Sequence, residues 1–181
     1  AEFTLRVKPA DISAAAHDEA LRALLNWAGC AVGGSQAAMS HRARTATLAW
    51  SGGGPATVFG QSEQAPAPIA ALLNSLATGA HAFDDTHADM VLHPVGPVAS
   101  ALMALAEHLS AAGSPVHGRD FLAALIVGVE VECRLARALL VPPAEMEIGW
   151  YMTGVVAGSG AAAGCARLLG LDVAQAICAM G

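Results

Sequence analysis

Carboxylates and imidazoles are concentrated in one short stretch, residues 81–93, of a chain that is otherwise mostly apolar. The stretch holds seven polar side chains within thirteen residues, namely Asp84, Asp85, Asp89, His81, His87, His93 and Thr86. Such a density of polar groups between apolar segments is costly to bury unless the groups are paired. We therefore expect this stretch to bind a ligand or to carry out chemistry.

Histidine and carboxylate side chains are common metal ligands, so a metal site is one interpretation of this stretch. The stretch lacks a regular ligand period, such as two histidines four residues apart on one helix face. We therefore predict no metal here.

A second interpretation is an acid–base site for a carboxylate substrate. A helix predicted to begin at Gly96–Pro97, directly after His93, would offer free N–H groups and a positive dipole end to a carboxylate. The His93 imidazole suits proton exchange near neutral pH. In the structural alternative, Asp84 caps a turn, Asp85 pairs with an arginine and the histidines are solvated. Spacing alone favours neither.

Two further motifs lie near the C-terminal end of the chain. The run from Gly158 to Gly164 imitates a dinucleotide-binding loop but lacks the preceding strand, so we predict close helix packing there instead. Tyr151 and Thr153 precede that helix. They either reach the pocket of His93 or are ordinary loop residues.

The composition excludes several classes of protein. Of the 181 residues, 55% are apolar and 13% are charged, which predicts one globular domain with a large core. The net charge of −6 and the single lysine, Lys8, argue against nucleic acid and membrane surfaces as partners.

Four widely spaced cysteines predict free thiols in a reducing compartment, the cytoplasm. The uncharged residues 148–166 are rich in Gly and Ala, which favours a buried helix over a membrane span.

Apolar periodicity predicts an all-α fold, a multi-helix bundle with almost no strand. One domain covers residues 4–181, and residues 1–3 are set aside as a cloning scar. On the longest helix, residues 119–141, we expect four charged residues on the outer side: Glu130, Glu132, Arg134 and Arg137. The predicted helices are residues 10–31, 35–50, 66–80, 97–109, 119–141, 153–169 and 172–180, with an extended piece at 57–59. The apolar last helix predicts a truncation at Gly181 or a covering partner.

Several motifs together resemble the MmgE/PrpD family, in order and spacing, from about residue 11 to residue 181. The most specific is G-A-H-A-F-D-D-T-H at residues 79–87, followed by His93–Pro94. Supporting motifs are L-A-A-L-I-V-G-V-E-V at residues 122–131 with Arg134, G-W-Y-M-T-G at residues 149–154, and G-A-A-A-G-C-A-R-L-L-G-L-D at residues 160–172.

The resemblance implies cofactor-free proton transfer next to a carboxylate of a small di- or tricarboxylic acid, as in dehydratases, decarboxylases and epimerases of this family. It also implies a homodimer and a smaller α/β lid domain that this chain lacks. The resemblance places Thr86 and His93 at pocket positions and Asp85 in the same motif. We expect catalytic roles for His93, as the acid–base group, and for Asp85 and Tyr151. We expect four substrate-binding residues: Asp84, Thr86, His87 and Thr153.

Three departures from the family pattern bear on function. Ala82 stands where the family often has aspartate, and Tyr151 stands where it has a pocket histidine. The pocket lysines of the family lie beyond residue 181, and a polycarboxylate needs cations. We therefore expect a lyase that is inactive as this piece alone. The alternatives are an epimerase or isomerase of a dicarboxylic acid, or an inactive helical dimerisation module.

Overall fold

The structure, a computed structural model, describes residues 1–140 and 150–181. Within these residues the fold is all-α, as predicted, with eight α-helices and one two-stranded antiparallel ribbon that pairs Ala56 with Ala65. The helices are α1 (Glu2–Arg6), α2 (Ala14–Gly34), α3 (Ala38–Ser51), α4 (Ala67–Thr78), α5 (Val95–Ala111), α6 (Gly118–Leu139), α7 (Met152–Leu168) and α8 (Val173–Met180). The ribbon consists of β1 (Ala56–Thr57) and β2 (Gln64–Ala65).

Helix α5 is central to the core and packs against α2, α4, α6 and α7. One cluster of buried side chains joins α2, α5 and α6 through Trp27, Val98, Leu102, Phe121 and Leu125. The indole N–H of Trp27 donates to Ser100 Oγ at 2.9 Å, which satisfies a polar group that would otherwise be costly to bury. This core fixes where α5 begins, next to the polar stretch.

Helices α6 and α7 approach each other through small residues, as the sequence predicts. A Cβ atom on Gly160 would stand 2.8 Å from the Gly128 carbonyl oxygen, and one on Gly164 would stand 3.1 Å from the Ala124 carbonyl oxygen. Gly158 has no such neighbour within 4 Å. The glycines in this run therefore serve helix packing, at Gly160 and Gly164.

Side-chain caps fix several helix boundaries. Ser13 caps α2 by accepting from the Ala16 N–H, and Asp172 caps α8 by accepting from the Gln175 N–H. Helix α5 begins at Val95, slightly before the predicted start at Pro97. The predicted end of the longest helix at Val141 lies outside the described residues.

The first residues of the chain are folded onto the C-terminal part. Glu2–Arg6 is helical, Thr4 is buried, and the Arg167 guanidinium donates to the carbonyl oxygens of Thr4 and Val7. Among the helices that the structure describes, none has the length and apolar character needed to cross a membrane.

Glu132 occupies a position that the sequence analysis did not predict. The expectation that it lies on the outer side of α6 with Glu130 is wrong, because Glu132 is fully buried, at 0% exposure. It lies four residues from Gly128 and from Ala136, both also buried, and so shares the inward-facing line of the helix. Glu130 is on the outer side, where it accepts from Arg134 Nε at 2.7 Å.

Candidate functional site

The polar stretch connects α4 to α5 through two short 3₁₀ turns, Gly79–His81 and Ala88–Met90. A backbone bridge closes the second turn: the His87 N–H donates to the Leu92 carbonyl at 2.8 Å and the Leu92 N–H donates back at 3.3 Å. The turn requires φ of 49° at Val91, a left-handed conformation that a β-branched residue rarely adopts. Strain of this kind concentrates at functional sites because the surrounding structure enforces it.

The His93 imidazole is held by its Nδ1 atom, which lies 3.0 Å from the Asp85 carbonyl oxygen, 3.2 Å from Thr86 Oγ1 and 3.7 Å from Asp84 Oδ2. A carbonyl only accepts, so these partners assign the proton of the neutral ring to Nδ1. The other ring nitrogen, Nε2, then carries the lone pair. The site therefore presents His93 in the tautomer of a general base.

The backbone of His93 is fixed as firmly as its ring. Its N–H donates to Thr153 Oγ1 at 2.9 Å, a bond that joins the polar stretch to the start of α7. Thr153 is buried, so its hydroxyl serves to position His93.

Asp85 does not pair with an arginine; its carboxylate accepts from the Val95 N–H at 3.2 and 3.3 Å. The start of α5, where the sequence predicts a substrate carboxylate, is thus already occupied by a carboxylate of the chain itself. Burial raises the pKa of the Asp85 carboxyl to about 6; the Val95 hydrogen bond opposes that shift, Asp84 adds to it and His93 opposes it.

A cleft of about 440 Å³ opens beside Asp85, Thr86 and His87, with Val129 of α6 also in its wall. The described residues that line it include the carboxylates Glu19, Asp85 and Asp89 and no lysine or arginine. This wall is therefore acidic. An anionic ligand needs cations from outside it.

Tyr151 lies near His93, and neither ring is among the described residues that line the cleft. The two ring centroids are 6.2 Å apart with the planes tilted by 38°, and Tyr151 is 63% exposed. The structure thus brings most of the predicted site residues to one place around His93, namely Asp84, Asp85, Thr86, Tyr151 and Thr153. His87 lies on the cleft wall, with an exposed side chain.

Glu132 is a site neighbour that the sequence analysis missed. Neither of its carboxyl oxygens has a hydrogen-bond partner among the described residues. Burial raises the pKa of Glu132 to about 9, and the charge of Asp85 contributes in the same direction. Its position four residues after Gly128 would have indicated its burial, because residues four apart lie on the same side of a helix.

Within residues 1–140 and 150–181, no three histidine, cysteine or carboxylate side chains are grouped to hold a metal ion. The four cysteines are free thiols. Burial raises the pKa of Cys133 and of Cys165 to about 11, so both are neutral near pH 7.

Comparison with known proteins agrees with the fold and with the motifs. The model of the MmgE/PrpD N-terminal domain matches residues 1–181. A cis-aconitate decarboxylase-like protein, oryM, from Aspergillus oryzae (strain ATCC 42149 / RIB 40) is 33% identical over 172 residues, which are 94% of this chain and 36% of that protein. The chain thus spans about a third of the length of this relative. The chain belongs to the MmgE/PrpD family, as its N-terminal helical domain.

Proposed function

We propose that this chain is the helical part of a lyase, a dehydratase or decarboxylase that moves a proton next to a carboxylate in a small di- or tricarboxylic acid. The observation that carries the proposal is the fixation of His93. Its Nδ1 faces the Asp85 carbonyl at 3.0 Å, and its backbone is tied to Thr153 at 2.9 Å. A ring held this way has one nitrogen, Nε2, left for proton exchange.

In this proposal, Nε2 of His93 takes a proton from the carbon next to a substrate carboxylate. For dehydration, the electron pair left on that carbon expels hydroxide from the neighbouring carbon. Decarboxylation starts instead from His93 protonated at Nε2: the bond to CO₂ breaks, its electron pair stays on the carbon, and that carbon takes up the proton from Nε2. The negative charges of Asp84 and Asp85 stabilise the His93 imidazolium in both reactions. The reaction needs no cofactor.

Tyr151, Thr86 and His87 complete the proposed site. Tyr151 serves as a hydrogen-bond donor to the substrate, through its phenol hydroxyl. The exposed side chains of Thr86 and His87, on the cleft wall, are available to substrate hydroxyl and carboxylate groups. Asp84 orders the His93 ring from 3.7 Å.

The acidic wall of the cleft suggests that this chain needs a further part of the protein to bind an anionic substrate. A polycarboxylate beside Glu19, Asp85 and Asp89 would be repelled without cations, and the resemblance places the pocket lysines of the family later in the chain. The relative from Aspergillus oryzae is itself described as cis-aconitate decarboxylase-like. We therefore propose that turnover requires the lid domain and that residues 1–181 alone are inactive.

We also propose a homodimer in the cytoplasm. Helix α2 exposes large apolar side chains along one side, with Leu21 at 51%, Leu25 at 76% and Val32 at 50% exposure. A face of this kind is suited to a second copy. Light scattering should give twice the monomer mass, and Leu25→Glu should give the monomer mass. A monomeric mass for the unmodified protein would contradict the proposal.

The test of the reaction uses the longest native protein that contains this chain and a panel of citrate-like acids. His93→Ala should lower kcat/KM by roughly 10²-fold or more, the usual contribution of a general acid or base, with the helical circular dichroism unchanged. His41→Ala, an exposed histidine on α3, is the matched control and should keep full activity. Full activity in His93→Ala would rule out the role.

The nearness of Tyr151 to His93 favours a second candidate, an epimerase or isomerase. Inversion needs a base on one face of a carbon and a proton donor on the other face; His93 would be the base and the Tyr151 hydroxyl the donor, with the two ring centroids 6.2 Å apart. In deuterated water, this reaction incorporates solvent deuterium without loss of water or CO₂. An inactive dimerisation module would give neither incorporation nor release.

A further inference from the structure

Glu132 is a carboxyl group without an evident structural task. It is fully buried, and neither oxygen has a hydrogen-bond partner among the described residues. An ordinary buried polar group finds a partner, because leaving one unpaired costs about 1–3 kcal/mol. We therefore ask whether the Glu132 carboxyl has a role in the candidate site around His93.

The surroundings of Glu132 are apolar on the side of α7. Its Oε2 atom would stand 2.9 Å from a Cβ atom on Gly160, so the glycine makes room for the carboxyl. The nearby side chains Leu92, Ala136, Met152 and Val156 form one apolar cluster with Cys133 at its edge. An apolar cluster of this kind favours the neutral form of a carboxyl group.

Among the described residues, Asp85 is the charged group that acts on the pKa of Glu132; its charge, in the polar stretch, adds to the rise that burial causes. Cys133, the next residue on α6, carries a thiol that is neutral near pH 7. Glu130 and Arg134 pair with each other on the outer side of α6. Helix α7 carries one charged residue, Arg167, which is bound to Thr4 and Val7.

We propose that Glu132 is a positioning residue for the candidate site, a buried neutral acid on the α7-facing side of α6 whose ionisation adds a second negative charge beside the polar stretch and impairs the site. While Glu132 is neutral, Asp85 is the carboxylate that anchors Val95 and faces the His93 charge. Once Glu132 ionises, its buried carboxylate and the half-buried carboxylate of Asp85 repel each other and also repel an anionic substrate.

The first test needs no substrate and so does not depend on the proposed function. NMR of protein labelled with ¹⁵N-histidine and ¹³C-glutamate follows the His93 ring and the Glu132 carboxyl from pH 5 to pH 10.5. The Glu132 carboxyl signal should titrate in the alkaline range, and the His93 signals should show a step in the same range. A Glu132 signal already ionised at pH 7, or His93 signals without that alkaline step, would overturn the proposal.

Two variants show whether the alkaline change in the His93 signals comes from Glu132. In Glu132→Gln, which keeps the size of the side chain and removes its charge, the alkaline step of His93 should vanish. Glu130→Gln makes the same chemical change on the outer side of α6 and should leave that step in place. Persistence of the alkaline step in Glu132→Gln would refute the assignment. If that variant does not fold, the direct Glu132 signal still decides.

The kinetic arm rests on the proposed lyase activity and uses the full-length enzyme. Unmodified enzyme should lose at least tenfold in kcat/KM between pH 8 and pH 10, and Glu132→Gln should lose less than threefold over the same range. Equal losses in both would contradict the positioning role. Without turnover on any acid, the proposed function fails, whereas the NMR steps still test the link between Glu132 and His93.

Discussion

Thr153 Oγ1 accepts a hydrogen bond from the backbone N–H of His93 at 2.9 Å, across 60 residues of sequence. The bond joins the strained stretch before α5 to the first turn of α7. Because the His93 ring is separately held by Asp85 and Thr86, backbone and ring are fixed from two sides. Thr153 thus links the packing of α7 to the orientation of the proposed base.

Replacing Thr153 tests this link. Thr153→Val keeps the shape and removes the acceptor, so the His93 N–H loses its partner, and we expect a loss of about 1–3 kcal/mol in the free energy of unfolding. In the full-length enzyme, kcat should fall by roughly tenfold or more, because misplaced catalytic groups are inefficient. Thr153→Ser restores the acceptor and should recover most of both losses. A larger loss in Thr153→Ser than in Thr153→Val would mean that side-chain volume, and not the hydrogen bond, matters.

Asp85 gives a prediction for the pH dependence of stability. Burial raises its pKa from 3.8 to about 6 in the folded protein, so between pH 4 and pH 6 the folded form binds a proton that the unfolded form has released. The free energy of unfolding therefore falls as the pH rises through this window. Asp85→Asn removes this dependence and should gain stability relative to the unmodified protein, by up to about 3 kcal/mol at pH 7, since one pKa unit is about 1.4 kcal/mol.

Thermal unfolding at pH 4, 5, 6 and 7 measures that difference. Asp89→Asn, on an exposed side chain of the same stretch, is the matched control and should show no comparable trend. A difference between Asp85→Asn and unmodified protein that stays flat from pH 4 to pH 7 would contradict the raised pKa. Activity of Asp85→Asn should nevertheless fall, because its charge stabilises the His93 imidazolium.

Much of the fold could be predicted from the sequence because its signals are local. Ser13 and Asp172 cap helices where their side chains suggest, and the small residues around Gly160 pack two helices together. Two residues of the most specific motif, Asp85 and His93, meet in the structure, and their role in a site stays a prediction.

The rest depends on non-local geometry. The stretch that brings His93 to Asp85 has left-handed backbone conformations at Ala82 and Val91. Alanine and valine rarely adopt this conformation, so the sequence gives no sign of it. The burial of Glu132 was missed because we placed it on the outer side of α6 for its charge, although its spacing from Gly128 along the helix indicated the buried side. The side of α6 that carries Gly128 and Glu132 faces inward because α7 packs against it, and this packing is seen only in the structure.

The close approach of α6 and α7 predicts opposite effects for two neighbouring glycines. Gly160→Ala would put a Cβ atom 2.8 Å from the Gly128 carbonyl oxygen and 2.9 Å from Glu132 Cβ, so the helices must separate. We expect a loss of about 1–3 kcal/mol in the free energy of unfolding, typical of overpacking. Gly158→Ala meets nothing within 4 Å and should gain about 0.5–1 kcal/mol from helix propensity. Urea unfolding measures both, and equal signs would contradict the packing.

The hydrogen bond between Trp27 and Ser100 should be detectable as coupling between α2 and α5. Both side chains are fully buried, with Trp27 at 1% and Ser100 at 0% exposure. Ser100→Ala therefore leaves the indole N–H unsatisfied and should cost about 1–3 kcal/mol. Trp27→Phe removes the donor and leaves Ser100 unpaired.

The double variant of Trp27 and Ser100 should lose less stability than the sum of the single losses, by about 0.5–1.5 kcal/mol. The reason is that, once one of the two groups is gone, removing the other leaves no polar group without a hydrogen bond. Ser110→Ala, exposed on the same helix, is the control. It should change the free energy of unfolding by less than about 0.5 kcal/mol. Strict additivity of the two single losses would mean that the two side chains do not interact in solution.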